Sequence, residues 1–412
     1  MLATAIVAAI ATSSAPAVNP PSGFSVKNIA TGIKQAVSID WGPSGELYVG
    51  TKKGEVWVVD PTGSSKRRIL DIRSHVNTYS DRGLEGIAVD NDFASNHYLW
   101  IVYVRAPSGK TGSHGAMTSR LSRVTVHGDG STSGETVVLG KANTAPCPKP
   151  ANSVDCIGAE GPSHMVGTVR SASDGTLWVG SGDGSRFDKL DTRSERAQNE
   201  KSLNGKILHV TRSGRGLPGH PFCKPHGGKD DLTRVCAKVY AKGLRNPYRF
   251  NFRPGGGLIA GDVGWATREE LDLISAGRNY GWPCYEGGKG TRYGAKEPTW
   301  RHKGFCDGSH GMYSLEGTSR AARPPVYDYR HTRSVAIIGG PRFPGGSGYP
   351  GQYKGRIFFA DFPTKVISTW DPDDHKARSF ATDVGCVDLE LAPNGHLVCV
   401  DIGREEIREF VP

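Results

Sequence analysis

The segment PSGELYVG at residues 43–50 is the first copy of a recurring phrase in the sequence, which returns in forms such as SDGTLWVG at residues 173–180. This recurrence is the main indication of the fold. Each copy places turn-forming residues before a short strand whose side chains alternate between two faces. Three further copies and one looser relative complete the set: GGGLIAGD (255–262), KGRIFFAD (354–361), PNGHLVCVD (393–401) and HYLWIVYV (97–104). The chain therefore repeats one β unit.

Other short strands lie between the phrases, such as EVWVVD at residues 55–60 and KILHV at residues 206–210, and no segment shows a sustained helical period. Radial repetition around a channel protects the edges of so many strands. With about 65 residues per unit, we predict an all-β fold, a six-bladed β-propeller of four-stranded blades. A pair of β-sandwiches is the competing architecture, but it gives no reason for the phrase to recur.

Composition agrees with a turn-rich β protein. The 412 residues include 55 glycines and 26 prolines, about a fifth of the chain against ~12% in average usage, which excludes a helix bundle. The net charge is +10, yet no basic run is longer than the three residues 66–68, and aromatic residues do not interleave with basic clusters. We therefore do not expect a nucleic acid as a partner.

The N-terminal segment MLATAIVAAIATSSAPAV combines an apolar stretch with small residues and resembles a secretory signal without a basic start. We predict a signal-like or disordered segment at residues 1–20 and a single propeller domain at residues 21–412. No later segment approaches the ~18 apolar residues of a membrane span. The expected location is secreted, either extracellular or periplasmic.

The cysteines fall into four near pairs, which are Cys147 with Cys156, Cys223 with Cys236, Cys284 with Cys306, and Cys386 with Cys399. Eight cysteines allow 105 connectivities, and pairing by proximity is the simplest of them. An even count behind a signal-like segment predicts disulfides in an oxidising compartment. The alternative is a zinc site formed by His220, Cys223, His226 and Cys236, although their spacing matches no common zinc motif.

Two segments hold candidate catalytic side chains. His164 opens the stretch at residues 163–183 and Asp183 closes it; histidine is the side chain best suited to accept a proton near neutral pH. In GLRNPYRF, Arg245 and Asn246 precede a proline, so a guanidinium and an amide can point at one ligand. A structural histidine, a turn aspartate and a surface salt bridge are the alternatives.

A third segment, at residues 261–287, is rich in carboxylates and glycine. Hard oxygen ligands of this kind are those that calcium prefers, but no EF-hand loop is present. The alternative is an acidic strand on a solvated edge. The carboxylates are Asp262, Glu269, Glu270, Asp272 and Glu286.

These segments together resemble the soluble, quinone-dependent sugar dehydrogenase family, which includes glucose, aldose sugar and sorbosone dehydrogenases. The resemblance extends from about residue 24 to residue 412. The matching motifs occur in the family's order: RGLEGIAVDNDF (82–93), His164 with Asp183, LNGKIL, GLRNP, GDVG with EEL, and NYGWPCYEG. The resemblance implies a six-bladed propeller that holds pyrroloquinoline quinone (PQQ) and calcium at the mouth of its channel.

By position, the resemblance makes His164 the general base for the sugar hydroxyl, with Asp183 as its support. Arg245 would polarise a quinone carbonyl, and Asn246 would bind the cofactor. Calcium would take main-chain oxygens of Gly264 and Trp265. A separate structural calcium site would include Glu270, Tyr280 and Glu286.

The chain departs from the family near the C-terminus, where Gly385 and Val387 stand at the positions of two cofactor-binding arginines. Lys365, Arg82 and Arg342 are candidates to supply the missing charge.

Two further departures lie near the predicted base: Asp81 stands where the family often has glutamine, and Ser163 where it often has aspartate. With Arg245, Asn246, Arg82 and Lys365, Asp81 completes the expected cofactor contacts.

Three functions follow as hypotheses. The first is an extracellular quinoprotein oxidoreductase acting on a sugar, with an external electron acceptor. The second is a non-catalytic binding module resembling hedgehog-interacting ectodomains. The third is a lactonase-like calcium-dependent hydrolase, which a central metal on three or more side-chain oxygens would indicate.

Overall fold

The computed structural model describes residues 18–189, 191–224, 230–288, 295–296, 305–309, 311–331 and 335–412. The predicted signal-like segment lies outside them up to residue 17. Within the described residues, no helix is long and apolar enough to cross a membrane.

Six antiparallel sheets form the blades of a propeller in the described part of the chain, as predicted. Strand β1 (Ser25–Thr31) precedes blade I, and the remaining strands follow in chain order. Blade I contains β2 (Ala36–Trp41), β3 (Leu47–Thr51), β4 (Glu55–Val59) and β5 (Lys66–Asp71). Blade II contains β6 (Leu84–Val89), β7 (Tyr98–Arg105), β8 (Met117–Val126), β9 (Thr132–Leu139) and β10 (Ile157–Ala159). Blade III contains β11 (Val166–Ser171), β12 (Thr176–Ser181), β13 (Lys206–Thr211) and β14 (Val239–Lys242).

The second half of the ring has the same plan. Blade IV contains β15 (Pro247–Phe252), β16 (Leu258–Asp262), β17 (Arg268–Ile274) and β20 (Tyr327–Arg330), while β18 (Tyr285–Glu286) and β19 (Ala295–Lys296) form a separate small sheet. Blade V contains β21 (Ile337–Arg342), β22 (Ile357–Asp361), β23 (Val366–Trp370) and β24 (Ala377–Thr382). Blade VI contains β25 (Cys386–Leu391), β26 (Leu397–Asp401) and β27 (Glu406–Val411). Helical structure is limited to α1 (Phe93–Asn96) and short 3-10 turns at Arg73–His75, Thr192–Gln198, Val235–Lys238, Met312–Leu315 and Gly351–Tyr353.

The ring closes through its two chain ends. Strand β1 pairs antiparallel with β27 and becomes the outer strand of blade VI. The innermost strands β2, β6, β11, β15, β21 and β25 each contact the innermost strands of the neighbouring blades. Blade II contains five strands but is four strands wide, because β9 and β10 pair with successive stretches of the same edge of β8.

The recurring phrase marks the second strand of each blade. Its copies end in β3, β12, β16, β22 and β26, and the looser copy is β7. A second strand is covered by neighbouring blades on both faces, so nearly all of its residues are buried. The turn before it needs a residue at positive φ, which glycine adopts without steric cost, as at Gly45 and Gly395.

All four predicted disulfides are present: Cys147–Cys156, Cys223–Cys236, Cys284–Cys306 and Cys386–Cys399. The bond between Cys223 and Cys236 uses both thiols that the zinc alternative requires, so that alternative is not supported. His226, its fourth member, lies outside the described residues.

Arg249 of β15 joins four blades beneath the mouth of the channel. The side chain is 1% exposed. It donates hydrogen bonds to the carbonyl oxygens of Gly167 at 2.9 Å and Val37 at 2.5 Å. Its Nε lies 3.1 Å from Oδ1 of Asp388. One guanidinium thus ties blade IV to blades III, I and VI.

Candidate functional site

A cavity of about 410 Å³ opens at the mouth of the channel where the innermost strands begin. All six blades contribute side chains to its wall. The lining residues are Val37, Lys52, Asp81, Glu85, His164, Phe187, Arg245, Asn246, Tyr248, Val263, Gly264, Trp265, His331, Val335, Ala336, Ile338, Phe362, Val387 and Ile402.

His164 and Asp183 meet because they flank one hairpin. Strands β11 and β12 pair antiparallel, with Val166 opposite Ser181, so the loop before β11 lies beside the loop after β12. Nδ1 of His164 lies 2.8 Å from Oδ1 of Asp183. The backbone of His164 has a φ of 61°, which is sterically uncommon for a residue with a side chain.

Asp183 is fully buried and orients the imidazole. Its Oδ2 accepts a hydrogen bond from Nε1 of Trp282 at 2.8 Å, and its Oδ1 accepts one from the backbone N–H of Ser185 at 2.9 Å. A carboxylate acceptor at Nδ1 places the ring proton there and leaves Nε2 as the free base.

The electrostatics favour a neutral histidine beside an ionised aspartate. Burial, followed by the positive charge of Arg245, lowers the pKa of His164. Burial acts to raise the pKa of Asp183, but its interactions with His164, Arg245 and the backbone N–H of Ser185 together outweigh that effect, and the net pKa is lowered. The pair can therefore accept a proton near pH 7.

Arg245 and Asn246 lie across the same cavity, at the start of β15. Asp262 positions both by accepting their backbone N–H groups at 2.9 and 2.6 Å. Nη1 of Arg245 donates to the carbonyl oxygens of Val263 at 2.8 Å and Gly264 at 2.6 Å. Nε of Arg245 and Oδ1 of Asn246 are buried without a hydrogen-bond partner among the described residues. These two atoms therefore have unsatisfied hydrogen-bonding capacity next to the cavity.

The structure does not bring every predicted cofactor contact to the cavity. Asp81 lines it, but Arg82 is fully buried and donates to the carbonyl oxygens of Gly161 and Ser113. Lys365 adopts a left-handed turn beyond β22 and is absent from the cavity wall.

The other substitute cation, Arg342, donates to the carbonyl oxygen of Gly355 and also lies away from the cavity wall. Of the two positions that depart from the family, Val387 lines the cavity and Gly385 does not.

Sequence reasoning missed several cavity residues. Lys52, Val263, Phe362 and Ile402 each directly follow the second strand of their blade. For Val263, Phe362 and Ile402, the position directly after a copy of the recurring phrase was a signal that could have found them. His331 and Glu85 carried no such signal.

The carboxylates of blade IV converge beside the cavity rather than on its wall. Asp262 and Glu270 are cross-strand partners, and Asp272 follows on the same face of β17. Ligand atoms of all three lie within 4.8 Å of one another, and neither oxygen of Asp272 has a described hydrogen-bond partner. Burial raises the pKa of Asp262 to about 7, and burial with mutual repulsion raises the pKa of Glu270 and Asp272 well above the ordinary value.

Of the predicted set of Glu270, Tyr280 and Glu286, the two glutamates lie close enough to interact electrostatically, whereas the Tyr280 hydroxyl is bonded elsewhere. Oε1 of Glu286 accepts backbone N–H groups along residues 265–268, at 2.6 to 3.2 Å. The hydroxyl of Tyr280 donates to the carbonyl of Leu273 at 2.7 Å. Only Glu270 of the three belongs to the cluster of buried carboxylates.

The family model described as Glucose / Sorbosone dehydrogenase matches residues 33–314. The chain is similar to the HIPL2 protein of Arabidopsis thaliana, with 29% identity over 318 residues that cover 66% of this chain and 44% of that protein. It is similar to quinoprotein glucose dehydrogenase B of Acinetobacter calcoaceticus, with 24% identity over 272 residues that cover 65% of this chain and 54% of that protein. The chain thus spans about half the length of these curated relatives.

A solved structure shares the fold at lower identity. The PQQ-bound aldose sugar dehydrogenase of Streptomyces coelicolor superposes with a TM-score of 0.64 and 21% identity, covering 95% of this chain and 98% of that one.

Proposed function

Because the chain belongs to the glucose/sorbosone dehydrogenase family, we propose that it is an extracytoplasmic oxidoreductase that oxidises a sugar with PQQ and calcium. The observation that carries the proposal is the His164–Asp183 pair facing Arg245 across one cavity. A base and a guanidinium converging on a ligand-sized cavity serve no purpose in a purely structural channel. Four disulfides are consistent with folding in an oxidising compartment.

The residues present fit a planar, anionic quinone. The cavity of about 410 Å³ accommodates a fused-ring molecule, and the unpartnered Nε of Arg245 and Oδ1 of Asn246 offer a donor and an acceptor. Arg245, Asn246 and Lys52 are the side chains that would hold it. When bound, PQQ supplies the two-electron acceptor for the hydride that leaves the sugar carbon.

The protein's own contribution is to move one proton. As the sugar C–H bond breaks, Nε2 of His164 takes the proton from the hydroxyl on the same carbon, and a C=O double bond forms. Asp183 stabilises the resulting imidazolium through Nδ1, and Trp282 holds Asp183 in place. This arrangement provides general-base catalysis in a water-poor site.

Calcium has two candidate positions in this proposal. Beside Arg245, the carbonyls of Gly264 and Trp265 would bind it, although Gly264 already accepts a hydrogen bond from Arg245, so a cation there must share or displace that donor. Beside the cavity, Asp262, Glu270 and Asp272 offer hard oxygen ligands. Buried carboxylates without a counter-ion are costly, and a structural calcium ion would offset that cost.

The test is an absorption spectrum of the protein incubated with PQQ and calcium, recorded before and after a panel of sugars, together with dye-linked turnover. We expect sugar-dependent reduction, and its loss in His164→Gln. The matched control is His127→Gln, since His127 is exposed and lies outside the cavity. Absence of both PQQ binding and turnover would reject the proposal.

A binding module is the second candidate, because the positions of two cofactor-binding arginines hold Gly385 and Val387, and Val387 makes that part of the wall apolar. PQQ binding separates the two candidates. The hypothesis of a calcium-dependent hydrolase requires side-chain carboxylates at the cavity. Among the described residues, the cluster of Asp262, Glu270 and Asp272 does not line the cavity, so this hypothesis is not supported.

A further inference from the structure

A carboxylic acid forms part of the cavity wall in a setting that the proposed mechanism does not use. Glu85 of β6 is 4% exposed and lines the same cavity as His164 and Arg245. Its Oε2 accepts a hydrogen bond from the hydroxyl of Tyr248 at 3.1 Å. Its Oε1 is buried without a hydrogen-bond partner among the described residues.

The contacts of Glu85 leave one oxygen uncommitted. Nη2 of Arg249 donates to the hydroxyl of Tyr248 at 3.1 Å, so the Tyr248 hydroxyl uses its proton for Oε2 of Glu85. A buried oxygen without a donor disfavours the ionised carboxylate. The same oxygen becomes a hydrogen-bond donor when the acid is protonated.

Charged groups surround Glu85 from several blades. Lys52 after β3 and Arg249 on β15 lower its pKa, while Asp81 before β6 raises it. Arg249 is itself paired with Asp388 of β25, and Lys52 donates to the carbonyl of Ser80. Asp81 in turn interacts electrostatically with His164. Burial outweighs these partners and raises the pKa of Glu85 to about 7.

We infer that Glu85 is a ligand-binding residue that takes a proton from solvent when an anionic ligand enters the cavity, and then donates a hydrogen bond from its carboxyl group to a ligand oxygen. An anion placed beside an ionised Glu85 would be repelled, whereas the protonated acid attracts it. Only one proton moves, from solvent to Glu85. The inference rests on the proposed function for the identity of the ligand, an anionic quinone.

The pH dependence of ligand affinity follows from the coupling between ligand binding and proton uptake by Glu85. Below about pH 7, Glu85 is protonated in both free and bound protein, so affinity does not depend on its titration. Above that pH, the free protein must take up a proton to bind, so affinity falls by up to about tenfold per pH unit. Measurements start at about pH 6.5 because burial holds the pKa of His164 below its ordinary value.

The experiment is a titration of the full protein with PQQ, followed by absorbance and fluorescence quenching, at intervals from about pH 6.5 to 8.5. Glu85→Gln is the test variant, because a glutamine mimics the protonated acid and keeps the acceptor for Tyr248. Glu135→Gln is the matched control, since Glu135 also accepts a tyrosine hydroxyl, that of Tyr103 at 2.7 Å, but lies outside the cavity wall.

We expect the dissociation constant of the wild type and of Glu135→Gln to rise with pH, and that of Glu85→Gln to stay nearly constant. Calorimetry in buffers of different ionisation enthalpy should show less proton uptake in Glu85→Gln at pH 8. Equal pH slopes in all three proteins would overturn the role of Glu85 while leaving PQQ binding intact. No PQQ binding by any of them would overturn the proposed function and this inference together.

Discussion

Nδ1 of His164 lies 2.8 Å from Oδ1 of Asp183, and the aspartate is fully buried. The pair is held by backbone bonds as well, since the N–H of Gly184 donates to the carbonyl of His164 at 2.9 Å. A side chain fixed at both its backbone and its ring nitrogen is preorganised for proton transfer.

Replacing Asp183 by asparagine should impair the base without unfolding the blade. An amide at this position can present its N–H to Nδ1 and favour the wrong tautomer of His164, so we expect kcat to fall by about 10²–10⁴. Dye-linked steady-state kinetics measure the loss. Asp174→Asn is the control, because Asp174 accepts from Thr176 in a turn of the same blade, away from the cavity. Equal kinetics in the two variants would contradict the assigned role of Asp183.

The rate should depend on pH through the ionisation of His164. Burial lowers the pKa of His164, and only the neutral ring accepts a proton. Activity should therefore rise with pH along an acid limb centred below ~6.5, the ordinary value for histidine. A profile of kcat/KM against pH locates the limb. A limb centred above pH 7 would show that a different group is the base or that His164 is stabilised as a cation.

Removing Arg249 should destabilise the whole ring. The substitution Arg249→Met removes the ion-pair partner of the buried Asp388 and leaves it with backbone N–H donors from Ile39 and Leu389. We expect the free energy of unfolding to fall by about 3–5 kcal/mol. Urea unfolding followed by tryptophan fluorescence measures it. The double variant Arg249→Met with Asp388→Leu should recover part of the loss, because the buried carboxylate is removed together with its partner, while the N–H of Ile39 loses its acceptor.

An ion pair on the surface, Arg73 with Asp71, provides the control for the Arg249→Met unfolding experiment. Arg73 and Asp71 lie 2.6 Å apart on the exposed side of blade I, and Arg73→Met should change stability by less than about 1 kcal/mol. If both arginine substitutions lowered the free energy of unfolding by a similar amount, the role of Arg249 in joining four blades would be contradicted.

Chelation of calcium should lower Tm if the cluster of Asp262, Glu270 and Asp272 binds the ion. Without a cation, burial and mutual repulsion raise the pKa values of these carboxyl groups, and an ion that binds to the folded state alone raises stability. Differential scanning calorimetry with calcium or with a chelator measures the shift. In Asp272→Asn the difference between the two conditions should shrink, because one ligand and one repelling charge are removed together. A wild-type Tm that is the same in both conditions would exclude a stabilising ion.

Much of the fold follows from local pattern. The phrase that ends in β3 and β26 predicts the second strand of each blade, because that strand is buried on both faces and follows a tight turn. The hairpin of β11 and β12 also explains why His164 and Asp183, far apart in the chain, are neighbours. The division of the outer edge of blade II between β9 and β10 was not predicted, since no copy of the recurring phrase marks an outer strand.

The repeat, the family motifs and the segments that carry His164 and Arg245 could be recognised from the sequence because each depends on short-range spacing, whereas the sequence left the disulfide connectivity open. The folded structure was needed to show that Glu85 and His331 face the cavity, that Arg82 donates to backbone carbonyls, and which carboxylates converge. These positions could not be predicted because the cavity lies on the propeller axis, where six blades meet. Distances between blades depend on how the ring closes, and a linear pattern of residues does not encode them.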